Sequence, residues 1–255
     1  MVRTAPSVQP GRFATEGYFV ARGMVDPERC ERLRAATLSA LAPLQGPAEF
    51  EADVGYPGAP ANRDVRGGET PRRLLNAYSR AGVFSQWATD PGIRDRLGEL
   101  TGAAKIWLSQ CHHNCVMTKH PGYSSRTDWH QDVRYWSFDR PDLVSVWLAL
   151  GPERRENGAL SVIPGSHTLD LDRGRLDQHL FLRPELPANR GLIESAITVE
   201  LEAGDVLFFH CRLFHAAGMN RSEVVKLSVV HTYHFDDNHP IPGTRSAQYP
   251  SVLVR

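Results

Sequence analysis

The run Leu143-Val144-Ser145-Val146-Trp147-Leu148-Ala149-Leu150 is apolar at nearly every position. Strand side chains alternate between faces, so a strand written this way must be covered on both sides. Further strand-like stretches surround it at residues 17–21, 105–110, 111–119, 197–201, 206–214 and 224–235. Helical patterns gather earlier in the chain. Asp26-Pro27 offers an N-cap followed by proline at the first helical position, and Asp90-Pro91 repeats the device with Gly102 as its stop. Arg72 and Arg73 open a further expected helix, which runs through Leu75, Tyr78 and Phe84 to Trp87. Many strands at short spacing, with helices towards the N-terminus, predict a mainly β chain of closed or double-sheet architecture.

The stretch Thr127-Asp128-Trp129-His130-Gln131-Asp132 places an imidazole and a carboxylate two residues apart. On an extended segment both leave the same face and can grip one metal ion. His215, after the apolar residues 206–214, is the best candidate for a third ligand. Two histidines and a carboxylate leave coordination positions open, which favours non-haem Fe(II) oxygen chemistry. His167 is the rival third ligand, but it follows Pro164-Gly165 in a turn and reads as structural. The cluster Cys111-His112-His113-Asn114-Cys115 invites a zinc reading. It lacks the second ligand pair that such sites need and reads better as a strand with polar inward residues.

The 29 basic and 29 acidic residues balance, so nothing points to a nucleic acid partner. No apolar run reaches membrane-spanning length, and Met1-Val2-Arg3-Thr4-Ala5-Pro6 lacks the apolar core of a signal peptide. Cys30, Cys111, Cys115 and Cys211 show no disulfide framework, as expected of reduced thiols in a cytoplasm. Residues 45–71 are rich in glycine, proline and charge and are long for a connection; the part from 46 to 68 is a candidate lid. Residues 168–196 read as a surface insertion. Arg72, Arg73, Arg126 and Arg134 could together meet an anionic group.

In chain order, His130-Gln131-Asp132, Asn157-Gly158, Ile163-Pro164-Gly165-Ser166-His167, Gly204-Asp205-Val206 and His215 resemble the phytanoyl-CoA dioxygenase family, over about residues 12–235. The resemblance implies a double-stranded β-helix (jelly roll, cupin-like) with flanking N-terminal α-helices in a single domain, 1–255. Helical and lid elements would fill 12–102, the jelly-roll core about 103–235 and a tail 236–255. It also implies a dioxygenase that uses Fe(II), 2-oxoglutarate and O2 to hydroxylate a small-molecule substrate, releasing succinate and CO2. His130, Asp132 and His215 would hold the iron, Trp147 would lie beside 2-oxoglutarate, and the strand from Cys115 to Lys119 would line the same site. A carboxylate at Asp132 argues against chlorination, since halogenating relatives carry a small residue there.

One position departs from the family. An arginine usually stands about eleven residues after the distal histidine, where it pairs with the far carboxylate of 2-oxoglutarate; here that residue is Lys226. Lysine keeps the charge and loses the bidentate fork. Only three of the 29 basic residues are lysine, which suggests a lysine chosen for its shape. On the same strand face, Ser228 could assist it, and Arg221 in a polar turn is the competing cation. Two other classes remain: a non-catalytic metal-binding jelly roll, and a metal-dependent isomerase or hydrolase on the same barrel.

Overall fold

The structure, a computed structural model, describes residues 10–255. Residues 1–6, expected to form no leader, lie outside the described residues. Helix α1 (Pro10–Glu16) precedes strand β1 (Tyr18–Ala21). Asp26 caps α2 (Pro27–Leu41), its carboxylate accepting from the Arg29 amide at 2.8 Å. Strands β2 (Ala48–Phe50) and β3 (Pro71–Leu75) follow, then helices α3 (Ala77–Arg80), α4 (Gly82–Ala88) and α5 (Pro91–Thr101). Asp90 caps α5, and Gly102 ends it at a φ of 76°, a conformation that glycine adopts without penalty. Next come β4 (Ile106–Ser109), β5 (Cys115–Lys119), β6 (Thr127–His130), β7 (Val144–Ala149) and β8 (Leu160–Val162). Helix α6 (Pro187–Glu194) precedes β9 (Ile197–Thr198), β10 (Val206–His210), β11 (His215–Ala217), β12 (Lys226–Phe235) and β13 (Val252–Val254).

Among the described residues the strands form two antiparallel sheets. The larger has nine strands, running β1-β10-β7-β12-β5-β3-β2, with β4 on β12 and β13 on β4; the smaller runs β6-β11-β8-β9. Strand β7 sits between β10 and β12 and is buried at every residue, as its apolar sequence requires. Val144, Val146 and Leu148 pack with Leu33, Phe84, Trp87 and Ile93 of the helices. Trp147 and Ala149 pack with Leu160 and Val162 of the smaller sheet. The alternation of β7 thus joins a helical layer to one face of the large sheet and the small sheet to the other. Each large side chain buried there contributes about 1.5–3 kcal/mol.

The structure corrects four expectations. Arg72 and Arg73 lie on β3, which pairs with both β2 and β5; helix begins only after Asn76, whose φ is 57°. Ladder bonds on two sides outweigh the helical spacing read from the side chains. Residues 45–71 are not all loop, because they supply β2 and the fully buried Glu51. The stretch 111–119 is strand only from Cys115, and His113 turns the chain at a φ of 33°. Residues 206–214 are not one strand: the chain leaves the large sheet after His210 and enters the small one at His215.

His231 on β12 is fully buried on the face that meets the helices, and neither ring nitrogen has a hydrogen-bonding partner among the described residues. Burial pushes its imidazole down from 6.5 to about 3. Above pH 6.5 neither the folded nor the unfolded chain holds a proton there. As pH falls from 6.5 towards about 3, the unfolded chain binds a proton that the fold refuses. Stability is therefore lost by about 1.4 kcal/mol per pH unit in that window. His231→Leu removes both the slope and the unpaired nitrogens. Urea unfolding should find it about 1 kcal/mol or more stabilised at pH 7 and about 2 kcal/mol further ahead at pH 5. An equal difference at the two pH values would mean that the imidazole is not held neutral by burial.

Candidate metal centre and adjoining clefts

Strand pairing brings the expected ligands together. In the register between β6 and β11, His215 stands directly opposite His130. Their rings lie 4.2 Å apart, centroid to centroid. Asp132 follows β6 in a turn of 3-10 helix. Gln131, between the two ligands, donates to the Arg212 carbonyl and so ties the motif to the turn that delivers His215. Donor atoms of His130, Asp132 and His215 all lie within 4.8 Å of one another. The Nε2 atoms of His130 and His215 are 3.7 and 3.5 Å from Asp132 Oδ1.

The surroundings decide which atoms face the centre. Nδ1 of His130 is 2.8 Å from the Asp128 carbonyl oxygen, and Nδ1 of His215 is 3.0 Å from that of Leu213. A carbonyl can only accept, so each Nδ1 carries hydrogen and each Nε2 offers a lone pair, the arrangement of metal-ligating histidines. Burial works to keep both imidazoles neutral, and it holds His130 well below 6.5, aided by neighbouring His215. For His215 the same burial is outweighed by the Asp132 carboxylate, and the shift is upward. Burial alone would raise Asp132; His113, His215 and His130 together reverse it and hold the carboxylate well below its usual range. A buried anion facing two lone pairs fits a divalent cation, and the mixed N/O donor set suits Fe(II).

His167, the rival ligand, is elsewhere: its Nε2 meets the Ala14 carbonyl and its ring packs on His210. His113 is the neighbour that sequence reasoning missed. Its Nδ1 lies 3.4 Å from Asp132 Oδ2. Among the described residues, the cluster Cys111-His112-His113-Asn114-Cys115 does not bring three donor atoms together; His130, Asp132 and His215 do.

A narrow cleft of about 60 Å³ runs from His130, Asp132 and His215 into the space between the sheets, lined by Lys119, Trp147, Lys226, Leu160 and Val230. Lys119 and Lys226 are register partners on β5 and β12. Lys226 Nζ lies 3.1 Å from Glu153 Oε2, 3.4 Å from Ser228 Oγ and 4.9 Å from the centre of the Trp147 ring. Glu153 is fully buried and also accepts from Trp147 Nε1 at 2.9 Å and Ser228 Oγ at 2.6 Å. Ser228 therefore stands behind the cleft wall, holding Glu153. Cys115 is likewise absent from the lining; its side chain packs between the sheets, and burial pushes the thiol up to about 11. Arg221 is exposed and lines a separate outer groove.

Lys119 donates to the Ser125 carbonyl at 2.7 Å, and burial, Arg72 and Lys226 lower its ammonium to about 7. Its stem passes so close to Gly158 that a Cβ there would sit 2.7 Å from Lys119 Cδ. Glycine is required twice at that turn, since its φ is 80°. Arg72 is committed to structure: it donates to Ser125 Oγ at 2.8 Å and Thr127 Oγ1 at 3.1 Å, with Glu51 3.3 Å away. This network anchors the stretch 46–68 beside the metal motif, and Tyr56 stacks over Arg72 at 4.9 Å.

A model of the phytanoyl-CoA dioxygenase (PhyH) family matches residues 13–227. A probable phytanoyl-CoA dioxygenase of Caenorhabditis elegans is 30% identical over 189 residues, which is 69% of this chain and 59% of that protein. The chain thus spans about three-fifths of that relative's length. Among solved structures, the epimerase SnoN in complex with Fe3+, alpha ketoglutarate and nogalamycin RO superposes with a TM-score of 0.72 at 24% identity, covering 91% of this chain and 84% of that one. The alpha ketoglutarate dependent carbocyclase SnoK from nogalamycin biosynthesis gives 0.73 at 20% identity over 99% of both chains.

Proposed function

Because the chain belongs to the phytanoyl-CoA dioxygenase family, we propose that it is an Fe(II)- and 2-oxoglutarate-dependent dioxygenase that hydroxylates a small molecule with release of succinate and CO2. The observation that carries this reading is a buried His130-Asp132-His215 cluster opening into a cleft that holds two lysines. Two antiparallel sheets packed through one cluster support a double-stranded β-helix with flanking N-terminal helices, read as a single domain. No helix of the described residues is long and apolar enough to cross a membrane, and all four cysteines are unpaired, which suits a cytoplasmic setting.

When bound, Fe(II) supplies open coordination positions and the redox capacity to use O2. The chain supplies the rest. His130 and His215 present Nε2 because backbone carbonyls hold their Nδ1 hydrogens. Asp132 brings the charge that a dication requires in a buried site. Lys226 and Lys119 offer ammonium groups to the far carboxylate of 2-oxoglutarate, where Arg72 and Glu51 already balance one another. Trp147, Leu160 and Val230 keep water from the inner end. The stretch 46–68, docked through Glu51 and Tyr56, serves as the lid of the site.

Incubation with Fe(II), 2-oxoglutarate and O2 should give succinate with matched O2 uptake, slow alone and faster with the right substrate. Metal binding with neither product nor O2 uptake would leave a non-catalytic metal protein. Substrate conversion without O2 uptake would leave an isomerase or hydrolase.

A further inference from the structure

We infer that the prime substrate is an organic anion with a flat, apolar body, held through a carboxylate or phosphate by Arg134 and Arg245. This rests on the reading above, in which His130, Asp132 and His215 hold the iron. Two clefts meet at His130 and Asp132. One runs inward to the lysines. The other opens outward, has a cavity volume of about 200 Å³ and is walled by Tyr56, Tyr135 and Trp136. That aromatic lining fits a small molecule stacked on the rings and reaching out of the mouth.

The charge of the outer cleft is lopsided. Arg73 is offset by Glu49 at 3.3 Å. Among the described residues, Arg134 and Arg245 form no ion pair with a carboxylate, while Arg72, Arg73 and Arg126 all do. Arg134 is nevertheless fixed in place. It lies 4.1 Å over the Phe181 ring and 4.5 Å over Tyr135, and donates to the His179 carbonyl at 2.8 Å. Its Nε is buried and has no partner. A guanidinium already held by aromatic rings, lining the cleft and without a carboxylate partner, loses little freedom when it meets an anion. Tyr135, 56% exposed, presents a large aromatic surface at the mouth.

Arg245 comes from beyond the residues matched to the family. Strand β13 anchors the C-terminal segment on β4, and Ser246 pins it to the cleft wall. Its Oγ accepts from the Ser137 amide at 2.8 Å and lies 2.7 Å from His112 Nε2. His112 in turn stacks on Trp136 at 5.2 Å. The second cation is thus delivered by the C-terminal segment, outside the residues that the family model matches.

The test is calorimetric titration of the full chain, with Mn(II) and 2-oxoglutarate bound, using 2-naphthoate, 2-naphthyl phosphate and neutral 2-naphthamide. At least one anion should bind about tenfold or more tightly than the amide, and the tighter of the two identifies the group. Arg134→Met should weaken that anion about tenfold or more and Arg245→Met about threefold or more, with 2-oxoglutarate affinity unchanged; Arg134→Lys should recover part of the loss. The inference is overturned if the amide binds as tightly as both anions, if neither anion binds at millimolar concentration, or if both methionine variants bind as wild type does. The 2-oxoglutarate titration separates the two claims. Its failure in the wild-type protein removes the proposed function, whereas its success without anion discrimination removes only this inference.

Discussion

Asp132→Ala is expected to abolish iron-dependent succinate formation and to weaken Fe(II) binding by more than about a hundredfold, beyond the 10- to 100-fold typical of losing an outer-shell partner. Asp132 is the only carboxylate of the three-residue group, and it is 4% exposed. Without it, a dication entering the site would be desolvated against two neutral imidazoles with no formal negative charge to meet it. Ser145 provides the contrast. Its hydroxyl lies 3.4 Å from Asp132 Oδ2 and touches the ligand from behind. Ser145→Ala should cost about tenfold, the low end of that range, because the contact it removes is long and the ligand set stays complete. Competition for Fe(II) against a chromophoric chelator measures both variants. Unchanged affinity and turnover in Asp132→Ala would remove this group as the metal site.

That His130, Asp132 and His215 would come together was legible in the sequence, because short-range spacing governs two of them. Residues 130 and 132 are two apart, which keeps them together even though the strand ends at His130 and Asp132 opens a 3-10 turn; His215 follows the apolar stretch but opens a new strand rather than ending the one before it. The helix starts at Asp26 and Asp90 were legible for the same reason, since a capping carboxylate reaches an amide only two or three residues away. What was hidden depends on distant partners. Arg72 and Arg73 carry a helix-like pattern onto β3, and only pairing with Met117, more than forty residues on, makes them strand. Glu153, after Gly151-Pro152, carries no local signal of its role. It becomes a buried anion when β12 brings Lys226 and Ser228, 73 and 75 residues later, to its side. Cys115 and Ser228 share the inward face with Lys119 and Lys226, yet neither lines the cleft: Cys115 is packed between the sheets and the Ser228 hydroxyl is turned to Glu153, so a shared face alone does not put a side chain in the cleft.

Lys226→Met is expected to destabilise the fold by about 3–5 kcal/mol, because it strands a fully buried carboxylate. The side chain of Lys226 is 4% exposed and that of Glu153 1%, so water cannot replace the lost ammonium. Trp147 Nε1 and Ser228 Oγ still donate to Glu153, but neither brings charge. At about 2–4 °C per kcal/mol for a chain of this size, the melting temperature should fall by roughly 10 °C. Glu153→Gln in the same chain removes the stranded charge, keeps an acceptor for Trp147 and should restore most of the loss. The double variant then isolates the second role of Lys226. If its ammonium also meets the far carboxylate of 2-oxoglutarate, the refolded double variant should still bind 2-oxoglutarate about thirtyfold more weakly. If the double variant regains both stability and normal 2-oxoglutarate affinity, Lys226 serves Glu153 alone. The carboxylate partner would then be Lys119, whose ammonium, lowered to about 7 by burial and two neighbouring cations, would gain most from an arriving anion.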